Sequence, residues 1–165
     1  MKNYPLINPE TGKEVWISRS VAVAVSVFTK VNGKYCVLAN KRGPGLPNHV
    51  GQWNVISGYI DYDETLKEAA VREVFEETGV KININDLNLY CFEDDPKREN
   101  QVILFRYFCW YNGPKDVLTN KNCEPNEVDE IKWIPLSELN DYEWTSENHK
   151  RMIRCIFLTN YGKYE

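Results

Sequence analysis

The apolar and polar positions in the first part of the chain predict a hairpin of buried strands. Val21–Thr29 is rich in β-branched residues and almost wholly apolar, which is typical of a strand buried on both faces. Asn32-Gly33 follows, and this dipeptide is the strongest short signal for a hairpin turn. We therefore predict that Lys34–Asn40 returns antiparallel to the first strand.

The rest of the chain alternates predicted strands with turn-rich loops and closes on a helix. Loops are predicted at Arg42–Gly51, Asp94–Lys97 and Gly113–Asn126, and strands at Trp53–Ile56, Ile82–Glu93, Gln101–Trp110 and Glu130–Ile134. A final helix is expected to begin near Thr145 or Ser146. This order predicts an α/β (α+β) fold, in which helices pack on a central mixed sheet.

The length of the chain predicts one domain. A chain of 165 residues suits a single sizeable core. We expect that domain to span residues 19–165. Residues 1–18 precede it and contain a turn signal at Asn8–Gly12, so they are predicted to form an N-terminal arm or hairpin.

A helix is predicted over Glu64–Thr78, after a loop over Gly58–Asp63. Asp63 belongs to the residue types that accept a hydrogen bond from the first helical turn. Gly79 belongs to the type that ends a helix in a left-handed conformation. These two residues are the predicted limits of the helix.

Three glutamates of this helix fall on or beside the face that should contact the core. Glu73, Glu76 and Glu77 follow the i, i+3, i+4 spacing that brings side chains together, and Ala70 and Val74 share their side. Carboxylates this close repel one another and are costly to bury unpaired. A divalent cation held by carboxylate oxygens would resolve the conflict. Spacing alone also leaves open a solvated acidic face, although that would be expected to carry interleaved Lys or Arg.

The charge distribution supports the cation interpretation. The formal net charge is −4, and Gly58–Val80 contains seven acidic residues and two basic ones, so the negative excess lies in this stretch. No basic stripe with interleaved aromatic residues occurs elsewhere. A nucleic-acid polymer is therefore not an expected partner, and neither is an anionic membrane.

The cysteines and the apolar runs bear on location. Five cysteines are present, the number is odd and no Cys-x-x-Cys pair occurs, which argues against a disulfide framework or a zinc site and favours a reducing cytoplasm. The N-terminus carries no signal-peptide pattern. The longest apolar run, Val21–Val27, is far too short to span a bilayer.

The acidic stretch resembles the signature of the Nudix hydrolase family, G-x5-E-x7-R-E-U-x-E-E-x-G-U, in which U is apolar. Every fixed position is filled, by Gly58, Glu64, Arg72, Glu73, Val74, Glu76, Glu77, Gly79 and Val80. The resemblance extends to the two preceding strands, to the Trp133–Leu136 segment and to the closing helix. It implies the Nudix fold, an α/β/α sandwich with a central mixed sheet.

The resemblance also implies a metal centre for Mg²⁺, with Mn²⁺ as a substitute. By position in the motif, the metal ligands would be the carboxylates of Glu73, Glu76 and Glu77 and the carbonyl of Gly58. Glu64 and Arg72 would orient these ligands through charge-assisted hydrogen bonds.

The implied reaction is Mg²⁺-dependent hydrolysis of a nucleoside diphosphate linked to another group, abbreviated NDP-X. The metal would neutralise pyrophosphate oxygens and lower the pKa of a bound water, which would then attack a phosphate. The general base is left open. Glu76 or Glu77 could act within the motif, and Glu127 or Glu124 could act from the long polar connection. The partner would be a small nucleotide, and a homodimer is compatible with the family.

Several residues outside the motif are candidates for substrate binding. Lys41 and Arg42 end a strand before a glycine-rich loop and suit phosphate, while Trp53 and Tyr59 could stack a base. His49 and His149 lie in polar segments and are expected to be solvated. One departure from many relatives is Ile56-Ser57-Gly58, where they carry Pro-Gly-Gly.

Two alternatives stand beside hydrolysis. The first is a non-catalytic Nudix-like domain that senses a nucleotide, although such domains often lose a motif glutamate and this chain retains them all. The second is an isomerase of the isopentenyl-diphosphate type, which needs a catalytic cysteine. Cys36 and Cys91 lie in predicted strands, so a thiol beside the metal centre would favour this second reading.

Overall fold

The computed structural model describes residues 5–16, 18–97 and 101–162. The strands are β1 Pro5–Ile7, β2 Glu14–Trp16, β3 Val21–Val31, β4 Lys34–Arg42, β5 Trp53–Asn54, β6 Ile56–Tyr59, β7 Asn88–Glu93, β8 Ile103–Trp110 and β9 Val128–Pro135. The helices are α1 Leu66–Thr78 and α2 Glu147–Tyr161. Short 3₁₀ turns lie at Ile84–Asp86 and Leu136–Asp141.

The centre of the molecule is a mixed seven-stranded sheet, as predicted. Five strands follow the order β5-β4-β3-β8-β7, while β6 pairs with β3 and β9 pairs with β4. β3 and β8 run parallel, and the other pairs in this sheet are antiparallel. β1 and β2 pair with each other in a separate two-stranded sheet.

Strand β3 is buried on both faces, which confirms the interpretation of its apolar run. Val23 and Val25 belong to the core that contains Val74 of α1. Ala24 and Phe28 belong to the opposite core, which contains Ile153, Ile156 and Phe157 of α2. The two helices therefore cover opposite faces of the sheet, because alternate residues of a strand point to opposite sides.

The hairpin turn is also confirmed. Asn32 and Gly33 have φ angles of 49° and 83°, as a two-residue hairpin turn of type I′ requires. The turn sets Val31 opposite Lys34. Since the register follows from the turn, β4 delivers Arg42 to the same end of the sheet as the start of β3.

The start of α1 differs from the prediction. Thr65, not Asp63, is the N-cap: its side chain accepts from Glu68 N at 3.3 Å, and Glu68 accepts from Thr65 N at 2.7 Å. This reciprocal pair satisfies two backbone donors and outweighs a single cap. Asp63 instead has a φ of 65° in the preceding turn. Gly79 ends the helix with a φ of 75°, as predicted.

Two other predicted boundaries were wrong. Only Asn88–Glu93 of the predicted strand Ile82–Glu93 is a strand, because the Asn83 side chain accepts from Asn85 N at 2.9 Å and starts a 3₁₀ turn. The predicted strand Trp53–Ile56 is split at Val55, and β6 runs on through Gly58, which was expected in a loop. Within the described residues, no helix is both long and apolar enough to cross a membrane.

Candidate active site

A cavity of about 670 Å³ lies beside the edge of β6, and we call it the site cavity. Its charged end is lined by Arg42, Gly58, Tyr59, Asp61, Arg72, Glu73 and Glu127. Its floor and neutral end are lined by Ala22, Ala24, Val102, Leu104, Asn54, Ser57, Thr145, Ser146 and His149. The loop between β4 and β5 supplies the rim through Leu46, Pro47, Asn48 and His49. The charged lining residues are linked by ion pairs of Arg72 and by the close charges of Glu73, Glu127 and Arg42 around Glu77, and this group is the charged end.

Glycine at position 58 lets the Glu73 side chain pack directly against the backbone of β6. A Cβ atom at this position would overlap the Glu73 carboxylate. The absence of a side chain therefore lets a carboxylate of α1 reach the strand edge. This contact joins two positions of the motif, Gly58 and Glu73, that lie fifteen residues apart in sequence.

Arg72 is the hub of the charged end. Its guanidinium donates to both oxygens of Glu64 at 2.7 and 3.1 Å, to Glu73 at 2.7 Å and to Glu76 at 3.1 Å. It also donates to the Tyr59 carbonyl at 2.9 Å. These carboxylates, Glu64 first, raise the pKa of Arg72. One cation therefore holds three motif glutamates and the preceding loop together.

Glu64 is the best satisfied of these carboxylates. Besides the two bonds from Arg72, it accepts from the backbone N–H of Asp61 at 2.7 Å. The hydrogen bonds from Arg72 are the main reason why the pKa of Glu64 is lowered. Glu64 thus links the loop to Arg72, and its orienting role in a metal centre stays a prediction.

Glu77 is in the opposite situation. It is 6% exposed, and its Oε2 atom has no hydrogen-bond partner among the described residues. Burial raises its pKa well above the usual value, and the nearby charges of Glu73 and Glu127 add to the effect. The Ser57 backbone N–H and the Arg42 guanidinium oppose it. Burial also raises the pKa of Glu73, against the effect of Arg72. An unsatisfied buried carboxylate is costly unless a cation binds to it.

Glu127 reaches the site cavity because its loop is bonded to the end of β4. Gly43 N donates to the Glu127 carbonyl at 2.7 Å, and Gly45 N donates to the Asn126 carbonyl at 2.8 Å. A Cβ atom on Gly43 would overlap the Asn126 carbonyl, so the close approach depends on glycine. Glu124, the other candidate from this connection, is exposed and does not line the cavity.

The residues present fit a divalent cation, although they do not converge on one point. Among the described residues, no group of three or more His, Cys, Asp or Glu side chains is arranged to hold a metal ion. The ion pairs explain this, since Arg72 draws the carboxylates of Glu73 and Glu76 toward itself. The buried, unpartnered Glu77 oxygen and the oxygen-only donor set beside Gly58 suit a hard cation.

The four residues predicted to bind substrate are divided by the structure. Arg42 lines the site cavity and donates to Asn48 through Nε at 3.1 Å and Nη2 at 3.0 Å. Tyr59 lies at the cavity edge and is 55% exposed. Lys41 and Trp53 do not line the cavity: Lys41 pairs with Asp129 at 3.1 Å, and Trp53 is buried.

The different placement of Lys41 and Arg42 follows from strand geometry. The register of β4 against β9 shifts between these two residues, and an irregularity of this kind re-aims the side chains beside it. Trp53 packs edge-on against Tyr142, with 5.3 Å between ring centroids, and Lys132 lies over its ring. Trp53 is therefore placed as a core residue.

Several cavity residues were not predicted from the sequence. His149 is partly buried and lines the cavity, so the expectation that it is solvated was wrong. His49 is exposed at the rim, where its Nδ1 lies 2.9 Å from Gln52 Oε1. Asn54 and Thr145 were missed because their positions depend on a long-range bridge between Trp53 and Trp144. Among the uncharged residues of the cavity, only Ser57 stood out in the sequence, because many relatives carry glycine at this position of the Pro-Gly-Gly segment.

The thiols lie apart from the cavity lining. None of the described residues that line the site cavity is a cysteine. Cys36 is buried and its Sγ contacts the Lys34 carbonyl at 3.5 Å, and Cys91 is partly buried on β7. Cys123 is partly buried in the connection that carries Glu127, with its Sγ 3.0 Å from the Asn120 carbonyl. The arrangement does not favour the isomerase alternative.

Comparisons with known proteins identify the family of this chain. The profile of the NUDIX domain matches residues 19–155. The chain is 28% identical to nucleoside triphosphatase NudI from Klebsiella pneumoniae subsp. pneumoniae, over 66% of this chain and 76% of the relative. It is 29% identical to NudI from Enterobacter sp. (strain 638), over 66% and 78%.

Solved structures share the fold at lower identity. The NUDIX domain of Shewanella oneidensis NrtR, in complex with ADP ribose, superposes with a TM-score of 0.68 at 19% identity and covers 89% of each chain. A binary complex of the C. elegans Ap4A hydrolase gives a TM-score of 0.62 at 19% identity and covers 86% of this chain and 99% of that one. The chain is a hydrolase acting on phosphoanhydride bonds, and it belongs to the NUDIX family.

Proposed function

We propose that this protein is a Mg²⁺-dependent pyrophosphohydrolase that cleaves NDP-X substrates by attack of water on a phosphate, with Mn²⁺ able to replace Mg²⁺. The observation that carries the proposal is Glu77, a buried carboxylate with an unpartnered oxygen, close to the charge of Glu73 and to the Ser57 backbone N–H. The names of similar proteins support the substrate class, since one is a nucleoside triphosphatase and another binds ADP ribose. The catalytic unit is residues 19–165, and we expect it in the cytoplasm. Whether it forms a homodimer stays a prediction.

The metal would be held by the carboxylates of Glu73, Glu76 and Glu77 and by the carbonyl of Gly58. When bound, a divalent cation neutralises pyrophosphate oxygens and lowers the pKa of water. Arg72 and Glu64 keep the ligands in place through the ion pairs described above.

Arg42 is the phosphate-binding residue of this proposal. Its guanidinium lines the charged end of the cavity, where it counters the negative charge near Glu77. The bonds to Asn48 hold the guanidinium plane in one orientation. A fixed guanidinium suits the paired oxygens of a phosphate.

Glu127 accepts the proton of the attacking water. Its side chain lines the cavity, and its backbone is fixed to Gly43, so a surface connection supplies a positioned carboxylate. General-base catalysis contributes about 10²- to 10⁴-fold to a rate. Glu127→Gln is expected to lower kcat within that range, while the matched variant Glu124→Gln should stay within about twofold of wild type. Equal effects of the two substitutions would contradict the assignment.

A panel of nucleoside diphosphate derivatives and nucleoside triphosphates tests the function as a whole. Release of nucleoside monophosphate and of inorganic phosphate is measured with Mg²⁺, with Mn²⁺ and with EDTA. Metal-dependent release of the monophosphate supports internal pyrophosphate cleavage. Release of inorganic phosphate alone from a triphosphate contradicts it. Tight binding with no turnover of any substrate would instead favour the nucleotide-sensing alternative.

A further inference from the structure

Three uncharged side chains form a hydrogen-bonded line along the site cavity, and we call them the neutral relay: Thr145, Asn54 and Ser57. Thr145 Oγ1 donates to Asn54 Oδ1 at 3.2 Å, and Asn54 Nδ2 donates to Ser57 Oγ at 3.1 Å. All three line the cavity, and Asn54 is 8% exposed. The catalytic roles proposed above use none of them.

These bonds leave two donors unused within the relay, the second amide hydrogen of Asn54 and the hydroxyl hydrogen of Ser57. The Thr145 hydroxyl hydrogen is engaged by Asn54, and the Ser57 oxygen already accepts from the Asn54 amide. The Ser57 hydroxyl hydrogen therefore remains available for an acceptor outside the relay. Successive hydrogen bonds of one direction polarise one another, so this hydroxyl is a stronger donor than an isolated serine.

The backbone of β6 decides where that donor lies. Ser57 pairs with Ala24 of β3, which forms part of the cavity floor. The next residue is Gly58, against which Glu73 packs, and the Ser57 backbone N–H faces the Glu77 carboxylate. The side chain of Ser57 thus lies on the Ala24 side of β6, where it lines the cavity, while its backbone N–H contacts a carboxylate of the charged end.

The far end of the relay is firmly anchored. Thr145 N donates to the Trp53 carbonyl at 2.9 Å, and Trp53 N donates to the Glu143 carbonyl at 2.7 Å. This bridge ties the segment before α2 to β5, next to Asn54. Thr145 and Asn54 are therefore placed to orient Ser57 without contacting the reacting atoms.

We infer that Ser57 donates a hydrogen bond to a non-bridging oxygen of the substrate pyrophosphate, and that Asn54 and Thr145 are positioning residues for it. A phosphate oxygen is the strongest acceptor expected at this point of the cavity, and an ionised acceptor strengthens the bond. The inference rests on the proposed hydrolysis, and it adds a contact that depends on serine at this position. Because the pyrophosphate is common to all NDP-X substrates, this contact should not depend on the base or on X.

The test compares Ser57→Ala and Ser57→Gly with the conservative Ser57→Thr on several substrates that differ in base and in X. A lost hydrogen bond to a charged group corresponds to a decrease of about 10- to 100-fold in kcat/KM. We expect a decrease of that size, equal across substrates, for the first two variants and recovery with threonine. Thr145→Val should give a smaller decrease in the same direction, and Thr145→Ser should restore the rate.

Binding of a methylene-bridged nucleoside diphosphate analogue, measured by calorimetry in Mg²⁺, separates this inference from the proposed function. Weaker binding by Ser57→Ala supports the contact even if wild-type protein shows no turnover, in which case hydrolysis alone is refuted. Activity and binding of Ser57→Ala within about twofold of wild type overturn the inference. A decrease confined to one base or one X also overturns it, because the hydroxyl would then contact that group and not the phosphate.

Discussion

Helix α1 and strand β8 each bury a charged side chain, but only one of the two charges is neutralised. Arg106 of β8 is 4% exposed and its guanidinium donates to the Glu93 carboxylate of the neighbouring strand β7. Glu77 of α1 is 6% exposed and has an oxygen with no partner among the described residues. A buried ion pair can hold two strands together, whereas a lone buried charge destabilises a fold.

The difference indicates that the candidate site retains a buried carboxylate that destabilises the fold in the absence of a cation. In the Arg106–Glu93 pair each charge faces the opposite charge of the other residue. The carboxylate of Glu77 is incomplete and lies beside other carboxylates, so a cation is the natural missing partner. Strained or unsatisfied groups tend to concentrate at functional sites. Substitutions on the two sides of the comparison should therefore have opposite consequences for stability.

The largest effect expected within this comparison is the loss of turnover in Glu77→Gln. The amide retains the size of the side chain but removes the charge that would bind the cation, so kcat should fall by about 10²- to 10³-fold. Steady-state kinetics with Mg²⁺ measures this. Glu68→Gln is the control on the same helix, because Glu68 is exposed and belongs to the helix cap. Turnover near wild type in Glu77→Gln would contradict the metal assignment.

Some features of the fold and of the candidate site can be predicted from local sequence patterns, and others cannot. The motif glutamates, the burial of β3 and the Asn32-Gly33 turn follow from local spacing and local turn chemistry, so pattern alone predicts them. The start of α1 has two candidates in the sequence, because Asp63 and Thr65 are both cap-forming residue types within one turn. The choice between them depends on which side chain completes a reciprocal pair.

Contacts between distant segments could not be predicted. Glu127 enters the site cavity because Gly43 bonds to its backbone, and Thr145 enters it because Trp53 is bridged to the segment before α2. No local sequence pattern near Glu127 indicates the contact with Gly43, and none near Thr145 indicates the contact with Trp53. Lys41 is a further case, since the register of β4 against β9 shifts between Lys41 and Arg42, and no local pattern in the sequence marks this irregularity.

The second expected effect is a loss of stability without a loss of activity, in Glu93→Gln. Removing the carboxylate leaves the Arg106 guanidinium buried without its counter-charge, which should lower the free energy of unfolding by about 3 kcal/mol. Urea denaturation measures this. The kcat/KM of the folded protein should stay within about threefold of wild type, because neither residue lines the site cavity. A stability equal to wild type would show that the pair does not hold β7 to β8.

The smallest expected effect is a pH-dependent gain in stability of metal-free Glu77→Gln over wild type. Burial raises the pKa of Glu77 in the folded chain, while in the unfolded chain it is about 4.3. Below that value both states are protonated and the two proteins should be equally stable. As pH rises toward the folded pKa, the unfolded wild-type chain releases its proton first, so wild type loses stability and the glutamine variant does not.

At neutral pH in EDTA the variant should therefore be more stable, by about 2 kcal/mol, the cost typical of an unsatisfied buried acceptor. Addition of Mg²⁺ should stabilise wild type and not Glu77→Gln, because a cation that binds only the folded state shifts the unfolding equilibrium. Thermal denaturation at acidic and neutral pH, with and without Mg²⁺, measures all four conditions. If wild type is the more stable protein at neutral pH in EDTA, then Glu77 is already neutralised by the protein itself. It would then resemble Arg106, and the contrast between the two buried charges would disappear.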